Sequence, residues 1–395
     1  MKIRGFTYGY DGRRGDYRTP EAALSIDRLA ALGGDWAALA FTVCQETYHS
    51  TQIRPDYRFT VTDRDVATAV SRLHGAGQKV CMKPIVNCLD GVWRANIDFP
   101  EREWGKGDYW QEWFSSYRAF LCHYAEIAEE TGCEMFCVGC EMLGTEKKEA
   151  LWRQTLAAVR EIYHGPLVYN TNHGKEMNVG WWDAVDYIGT SAYFRVADRP
   201  GASAEEMKEQ WDRYKAQLAE VSRLNGSKQI IFMEIGCRSA LGCAMMPYDF
   251  SHREFPYSEE EQANFYESCF RSVWEEPWFG GMFWWDWYTK LPETKPETGF
   301  SIVGKQVIFM EIGCRSASGC AMMPYDFSHK EFSFSEEEQA NFYESCFRSV
   351  WEEPWFGGMF WWDWYTKLPQ AKPETGFSIV GKKAENVVKT WYAKA

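Results

Sequence analysis

The sequence predicts a (β/α)8 barrel that carries one surplus copy of its last quarter. Three observations lead there. Short apolar runs ending in polar or small residues alternate with amphipathic stretches of helical length. Apolar strands separated by helices argue for a parallel sheet covered by helices. Finally, residues 229–305 and 306–382 align without a gap and differ at only seven positions.

The elements follow in order. Strand one is Ile3–Tyr8 and its helix Pro20–Leu32. Strand two, Trp36–Val43, precedes the helix Asp63–His74. Strand three, Lys79–Val86, precedes Tyr109–Glu130, the longest amphipathic stretch. Strand four, Met135–Glu141, ends on an acid and is followed by the helix Lys147–Tyr163. Strands five and six are Leu167–Asn172 and Tyr187–Tyr193, with the helix Ala204–Leu224 after the second. Strand seven is Ile230–Gly236. Its helix, Glu259–Trp274, opens on "SEEEQ", an N-cap serine with acidic first-turn residues. Strand eight, Met282–Trp287, completes the ring. The repeat then offers two more strands, Val307–Gly313 and Met359–Trp364. The last amphipathic stretch, Lys383–Tyr392, reads as the eighth helix.

A closed barrel of eight has no place for a ninth and tenth strand, because strand number, tilt and shear are linked. The repeat is no solenoid unit either, since those need three or more stacked copies. The expectation is one catalytic domain over 1–395, with one 77-residue copy outside the ring. Loop closure barely distinguishes the two copies. The first is synthesised earlier and joins the sixth helix directly, which favours it. The spare copy is expected to pack poorly or to trade places with a neighbouring chain's copy, giving a segment-swapped oligomer.

Bulk properties narrow the function. A net charge of −13 disfavours nucleic acid and suits a neutral substrate. No apolar run is long enough to span a membrane, and the N-terminus lacks a signal-type h-region, so a cytoplasmic location is expected. The 13 cysteines then read as buried, reduced thiols. Cys137 and Cys140 lack the second pair that a zinc site needs. His123 and Glu126 read as a helix face rather than a metal motif. No metal or cofactor is expected. Aromatics make up 17% of the chain, enough to fill a large core or to line a sugar cleft.

Barrel chemistry sits at the carboxyl ends of strands. Strand four ends in "FCVGCEMLG", with Glu141 at its tip. Strand seven ends in "IFMEIG", with Glu234 at its tip, or Glu311 in the second copy. One carboxylate ending an apolar strand is often a structural ion pair. Two that face each other across the mouth suit glycoside hydrolysis, one giving a proton and the other attacking. Other strand ends supply candidate sugar partners: Lys83, Asn87, Trp93 and Arg94 around strand three, Asn170 and Asn172 on strand five, and Tyr193 on strand six. Strand eight offers Trp284, Trp285, Asp286 and Trp287, or Trp361 to Trp364 in the second copy. One of two adjacent tryptophans must face the helices, since strand side chains alternate.

The motifs "GFTYG", "CMKPIVNCLDGVWRANIDFP", "FCVGCEMLGTE", "VYNTNHGKE", "VGWWDAVDYIGTSAYF", "FMEIGCRSA" and "FWWDW" closely resemble glycoside hydrolase family 113 over nearly the whole chain, less one copy of the repeat. The resemblance implies a retaining endo-β-1,4-mannanase acting on mannan or manno-oligosaccharides without a cofactor. It implies that Glu141 is the acid/base and Glu234 or Glu311 the nucleophile. Tyr193 looks like the strand-six residue that hydrogen-bonds the nucleophile, and Trp284 or Trp361 like the strand-eight sugar platform. Two departures stand out. Cys140 precedes the acid/base where the wider clan has asparagine, and the duplication is not a family feature. The alternatives are a β-glycosidase of another specificity, such as a mannosidase or glucan hydrolase, and a non-catalytic carbohydrate-binding barrel.

Overall fold

The computed structural model describes residues 2–102, 107–252, 254–290, 299–302, 307–322, 324, 331–351, 356–361 and 375–393; for 307–311, 356–358 and 360 it describes the backbone alone. The chain forms two compact units, Met1–Val303 and Gly304–Ala395, where the sequence reads as one domain.

The first unit holds eight parallel strands: β1 (Ile3–Tyr8), β2 (Trp36–Gln45), β3 (Lys79–Cys88), β4 (Met135–Cys140), β5 (Leu167–Asn172), β6 (Tyr187–Ser191), β7 (Ile230–Ile235) and β8 (Phe279–Trp287). Each pairs with the next, and β8 pairs back onto β1. This is a closed (β/α)8-type ring. Residues Ile53–Arg54 add a short antiparallel ladder on the end of β2. The ring closes where Ile3 lies opposite Gly281, which has φ 123°. A Cβ there would sit 2.2 Å from the Ile3 nitrogen, so only glycine lets β8 approach β1 this closely.

Besides a single turn at Leu143–Glu146, the helices are α1 (Pro20–Ala31), α2 (Asp63–Gly75), α3 (Tyr109–Glu130), α4 (Glu149–Arg160), α5 (Ala204–Leu224) and α6 (Glu259–Val273). Their starts are set locally. Thr62 with Asp65 and Ser203 with Glu206 form capping boxes, and Ser258 accepts from the Glu261 amide. Only 3-10 turns join β5 to β6. Ile3, Ala38, Cys81, Met135, Cys137, Val168, Ile231, Met233 and Phe283 fill the barrel interior, so it is a packed core rather than a pore. The larger cluster lies between strands and helices and takes up much of the aromatic content, including Trp113, Trp152, Trp181, Trp182 and Trp211.

Both β7 and β8 come from the first copy of the repeat. In the second unit the matching strands, β9 (Val307–Ile312) and β10 (Phe356–Trp361), pair with each other in a separate two-stranded sheet. With them are α7 (Glu336–Val350) and α8 (Lys383–Tyr392). The sequence assigns Lys383–Tyr392 to the barrel as its eighth helix. Instead it packs on the second copy's helix, with Trp391 stacked on Phe347 at 5.5 Å. Sequence adjacency decides this, because α8 follows the second copy directly.

Candidate active site

The β4 and β7 tips carry the site. Glu141 follows β4 with φ 56°, the left-handed region that is uncommon for any residue but glycine. Its amide is held by the Asn170 carbonyl at 2.7 Å. Its Oε2 accepts from Arg94 Nη2 at 2.9 Å and from Trp93 Nε1 at 3.2 Å. Arg94 is itself fixed by the Cys140 carbonyl and by Asn87 Oδ1.

Glu234 sits inside β7. Its Oε1 accepts from Lys83 Nζ at 2.6 Å and from the Cys140 thiol at 3.2 Å. Tyr193 donates to Oε2 at 3.0 Å. A path of three contacts links the two acids: Glu141 Oε2 to Arg94 Nη2 at 2.9 Å, Nη2 to Cys140 Sγ at 3.6 Å, and Sγ to Glu234 Oε1 at 3.2 Å. The carboxylates therefore lie within about 10 Å of each other, the outer reach of hydrolytic geometries.

Their environments push them apart. Burial raises the pKa of Glu141, and the nearby charge of Glu234 adds to the rise, against the opposing pull of Arg94. Burial would raise Glu234 too, but Lys83 and Arg94, with hydrogen bonds from Lys83 and Cys140, overcome it and bring the carboxyl below its ordinary range. Burial works against the Lys83 charge, and the Glu234 carboxylate, which accepts from its ammonium, holds that charge in place. The Cys140 thiol is raised by burial and keeps its proton. One acid thus favours the proton and the other the charge, as general acid/base and nucleophile require.

The other expected sugar partners occupy several layers. Lys83 is fully buried and spends its ammonium on Glu234 and the Met233 carbonyl, so it supports a carboxylate rather than a ring hydroxyl. Asn170 is buried against Cys140 and Ser191. Asn87 binds Tyr10 and Thr42 as well as Arg94. Arg94 is buried on Glu141, whereas Trp93 is 45% exposed at the rim with its N–H on the same acid. Asn172 is buried, and its Oδ1 has no hydrogen-bond partner among the described residues.

Trp284 requires a correction. It stacks on Tyr266 of α6 at 3.7 Å, on the helix side of the ring. Its neighbour Trp285 turns the other way, 4.7 Å from Tyr10 and 5.8 Å from Lys83 Nζ. Alternation allows one of the pair inward, and Phe283 in the barrel interior fixes the parity. Trp361 repeats the Trp284 placement in the second unit, stacked on Tyr343 at 4.0 Å. The side chain of Glu311 lies outside the described residues. Tyr10 is the group that sequence reasoning missed. Among the strand-eight candidates it is Trp285 that faces inward, and the parity of "FGGMFWWDW", once anchored on Phe283, is the signal for it.

The family model described as Glycoside Hydrolase Family 113 matches residues 6–305 and again 295–382. The chain belongs to glycoside hydrolase family 113. This family 113 enzyme is a glycoside hydrolase, and its similar solved structures agree. The β-mannanase AaManA of Alicyclobacillus acidocaldarius, in complex with ManMIm, is 40% identical with a TM-score of 0.70; the match covers 77% of this chain and 94% of that one. A second GH113 β-1,4-mannanase, also solved as a complex, is 35% identical with a TM-score of 0.69, over 77% and 95%. A β-glucuronidase of Faecalibacterium prausnitzii, 12% identical with a TM-score of 0.51 over 76% and 46%, shares the fold alone. A comparison with curated proteins gave no match. Among the described residues no helix is long and apolar enough to cross a membrane, and no group of three or more His, Cys, Asp or Glu could hold a metal ion.

Proposed function

We propose that this family 113 hydrolase cleaves β-1,4-mannosidic bonds in mannan or manno-oligosaccharides by double displacement, with retention. The opposed protonation preferences of Glu141 and Glu234 carry this reading. Glu234, ionised beside Lys83, attacks the anomeric carbon and forms a glycosyl-enzyme. Glu141 gives its proton to the leaving oxygen, then takes one from the water that releases the sugar. Tyr193 holds one oxygen of the nucleophile, while Lys83 and Cys140 hold the other. Trp285 and Tyr10 offer the ring faces that a pyranose needs. The manno-configuration rests on the likeness to two β-mannanases.

The stereochemistry of the first-formed product tests the mechanism. Retention of the β-anomer is expected; an α-anomer would replace double displacement with a single inverting step. The Glu141→Gln variant tests the roles. It should lose turnover of substrates with poor leaving groups and largely keep its first step on activated aryl glycosides, which need no proton. Equal loss on both would remove Glu141 as the acid. Products from manno- and gluco-oligosaccharides, compared side by side, separate a mannanase from a glucan hydrolase.

A further inference from the structure

The loop after β7 brings two cysteines together. Cys237 Sγ and Cys243 Sγ are 2.8 Å apart, within about 1 Å of a covalent S–S length. Neither is in a disulfide. Gly242 turns the chain back at φ 87°, where a side chain would be strained. The α6 side chains fasten the loop: Gln262 Nε2 donates to the Cys237 carbonyl at 2.7 Å, and Glu261 accepts from the Gly242 amide at 2.7 Å.

The second copy of the repeat gives an independent view of the same loop. There Cys314 and Cys320 place their sulfurs 3.2 Å apart. Gly319 turns at φ 84°. Gln339 donates to the Cys314 carbonyl at 2.8 Å, and Glu338 accepts from the Gly319 amide at 2.9 Å. Within the loop the copies differ only at Leu241 against Ser318. One copy's strands sit in the closed ring and the other's in a two-stranded sheet, yet the sulfurs meet in both. The approach is a property of the loop and its helix, not of the barrel.

We propose that Cys237–Cys243 and Cys314–Cys320 are oxidation sites, each closing to a reversible disulfide when a peroxide reaches it. The step balances. One thiolate sulfur attacks the peroxide O–O bond, giving a sulfenic acid and, once protonated, water. The second thiol's sulfur then displaces water from the sulfenic sulfur. Two thiols and one hydrogen peroxide become one disulfide and two waters. Cys243 and Cys320 are the entry points, each 5% exposed while their partners are fully buried. In the second copy the hydrogen bond from Cys314 depresses the Cys320 thiol, which favours the attacking thiolate. The crosslink would staple the loop that begins three residues after Glu234 and leave the Cys140 thiol untouched.

Peptide mapping of the full-length native protein tests this. The protein is treated with hydrogen peroxide, then denatured and alkylated. Each pair should appear as a loop peptide lacking two hydrogens and carrying no alkyl group, and dithiothreitol should restore both alkylation sites. The buried Cys269 should be alkylated throughout. In Cys243→Ala the first crosslink disappears and the Cys314–Cys320 crosslink persists. Full alkylation of both pairs after peroxide, or sulfinic acid without a crosslink, would overturn the assignment.

Discussion

Lys83→Met is the most informative single change. The side chain keeps its length and apolar stem but loses the charge that meets Glu234 at 2.6 Å, with the two side chains 0% and 4% exposed. Removing one partner of a buried ion pair costs about 3–5 kcal/mol, because the other charge is left uncompensated. Here Glu234 can escape that cost by taking a proton. At about 1.4 kcal/mol per decade, the ionised nucleophile becomes about 100- to 4000-fold scarcer wherever protons are available. The sign follows from the role. A nucleophile works only when ionised, so activity falls as pH drops through its pKa. Loss of Lys83 raises that pKa and moves the acid limb of the kcat/KM profile to higher pH. Activity near pH 5 should fall about 100-fold or more and recover in part toward pH 8. The assay is kcat/KM against pH on an activated aryl manno-oligosaccharide, with circular dichroism to confirm folding. A folded variant whose acid limb stays in place, with activity either unchanged or uniformly lower, would refute the claim that Lys83 keeps Glu234 charged.

Other changes probe separate parts of the site. In Arg94→Met the acid loses the cation that pulls its pKa down; an acid works only when protonated, so the alkaline limb should move to higher pH while kcat falls, as a pH profile would record. Trp285→Ala should raise KM at least several-fold with little change in melting temperature. Trp284→Ala should instead lower stability by about 3–5 kcal/mol, read by denaturant unfolding, because it empties a stacked site beneath α6. Glu234→Ala should abolish turnover and Glu311→Ala should leave kcat/KM unchanged, since the ring takes both strands from the first copy. Half-activity in each single variant would mean that both copies serve as nucleophile strands.

Much of this was legible from the residues. Each barrel strand begins within three residues of its expected start, because apolar runs between amphipathic helices are strong signals. Glu141 and Glu234 stand out because an acid closing an apolar strand needs a reason. What stayed hidden depends on distance and parity. Nothing local in "CMKPIV" says that Lys83 reaches across the interior to a strand about 150 residues later. Nor does "FWWDW" disclose which tryptophan faces inward, since the β7–β8 and β8–β1 registers both shift around it. The fate of Lys383–Tyr392 turned on which copy entered the ring, a choice between nearly identical sequences.

Each carboxyl has its own guanidinium or ammonium partner, and this shapes the whole cycle. Before attack, on the proposed mechanism, Glu234 is the anion and Glu141 is neutral. After the glycosyl-enzyme forms, the ester is neutral and Glu141 is the anion. With Lys83 and Arg94 constant, these four groups together carry one excess positive charge in both states. The negative charge moves from one waiting cation to the other, and the surroundings need little rearrangement to receive it.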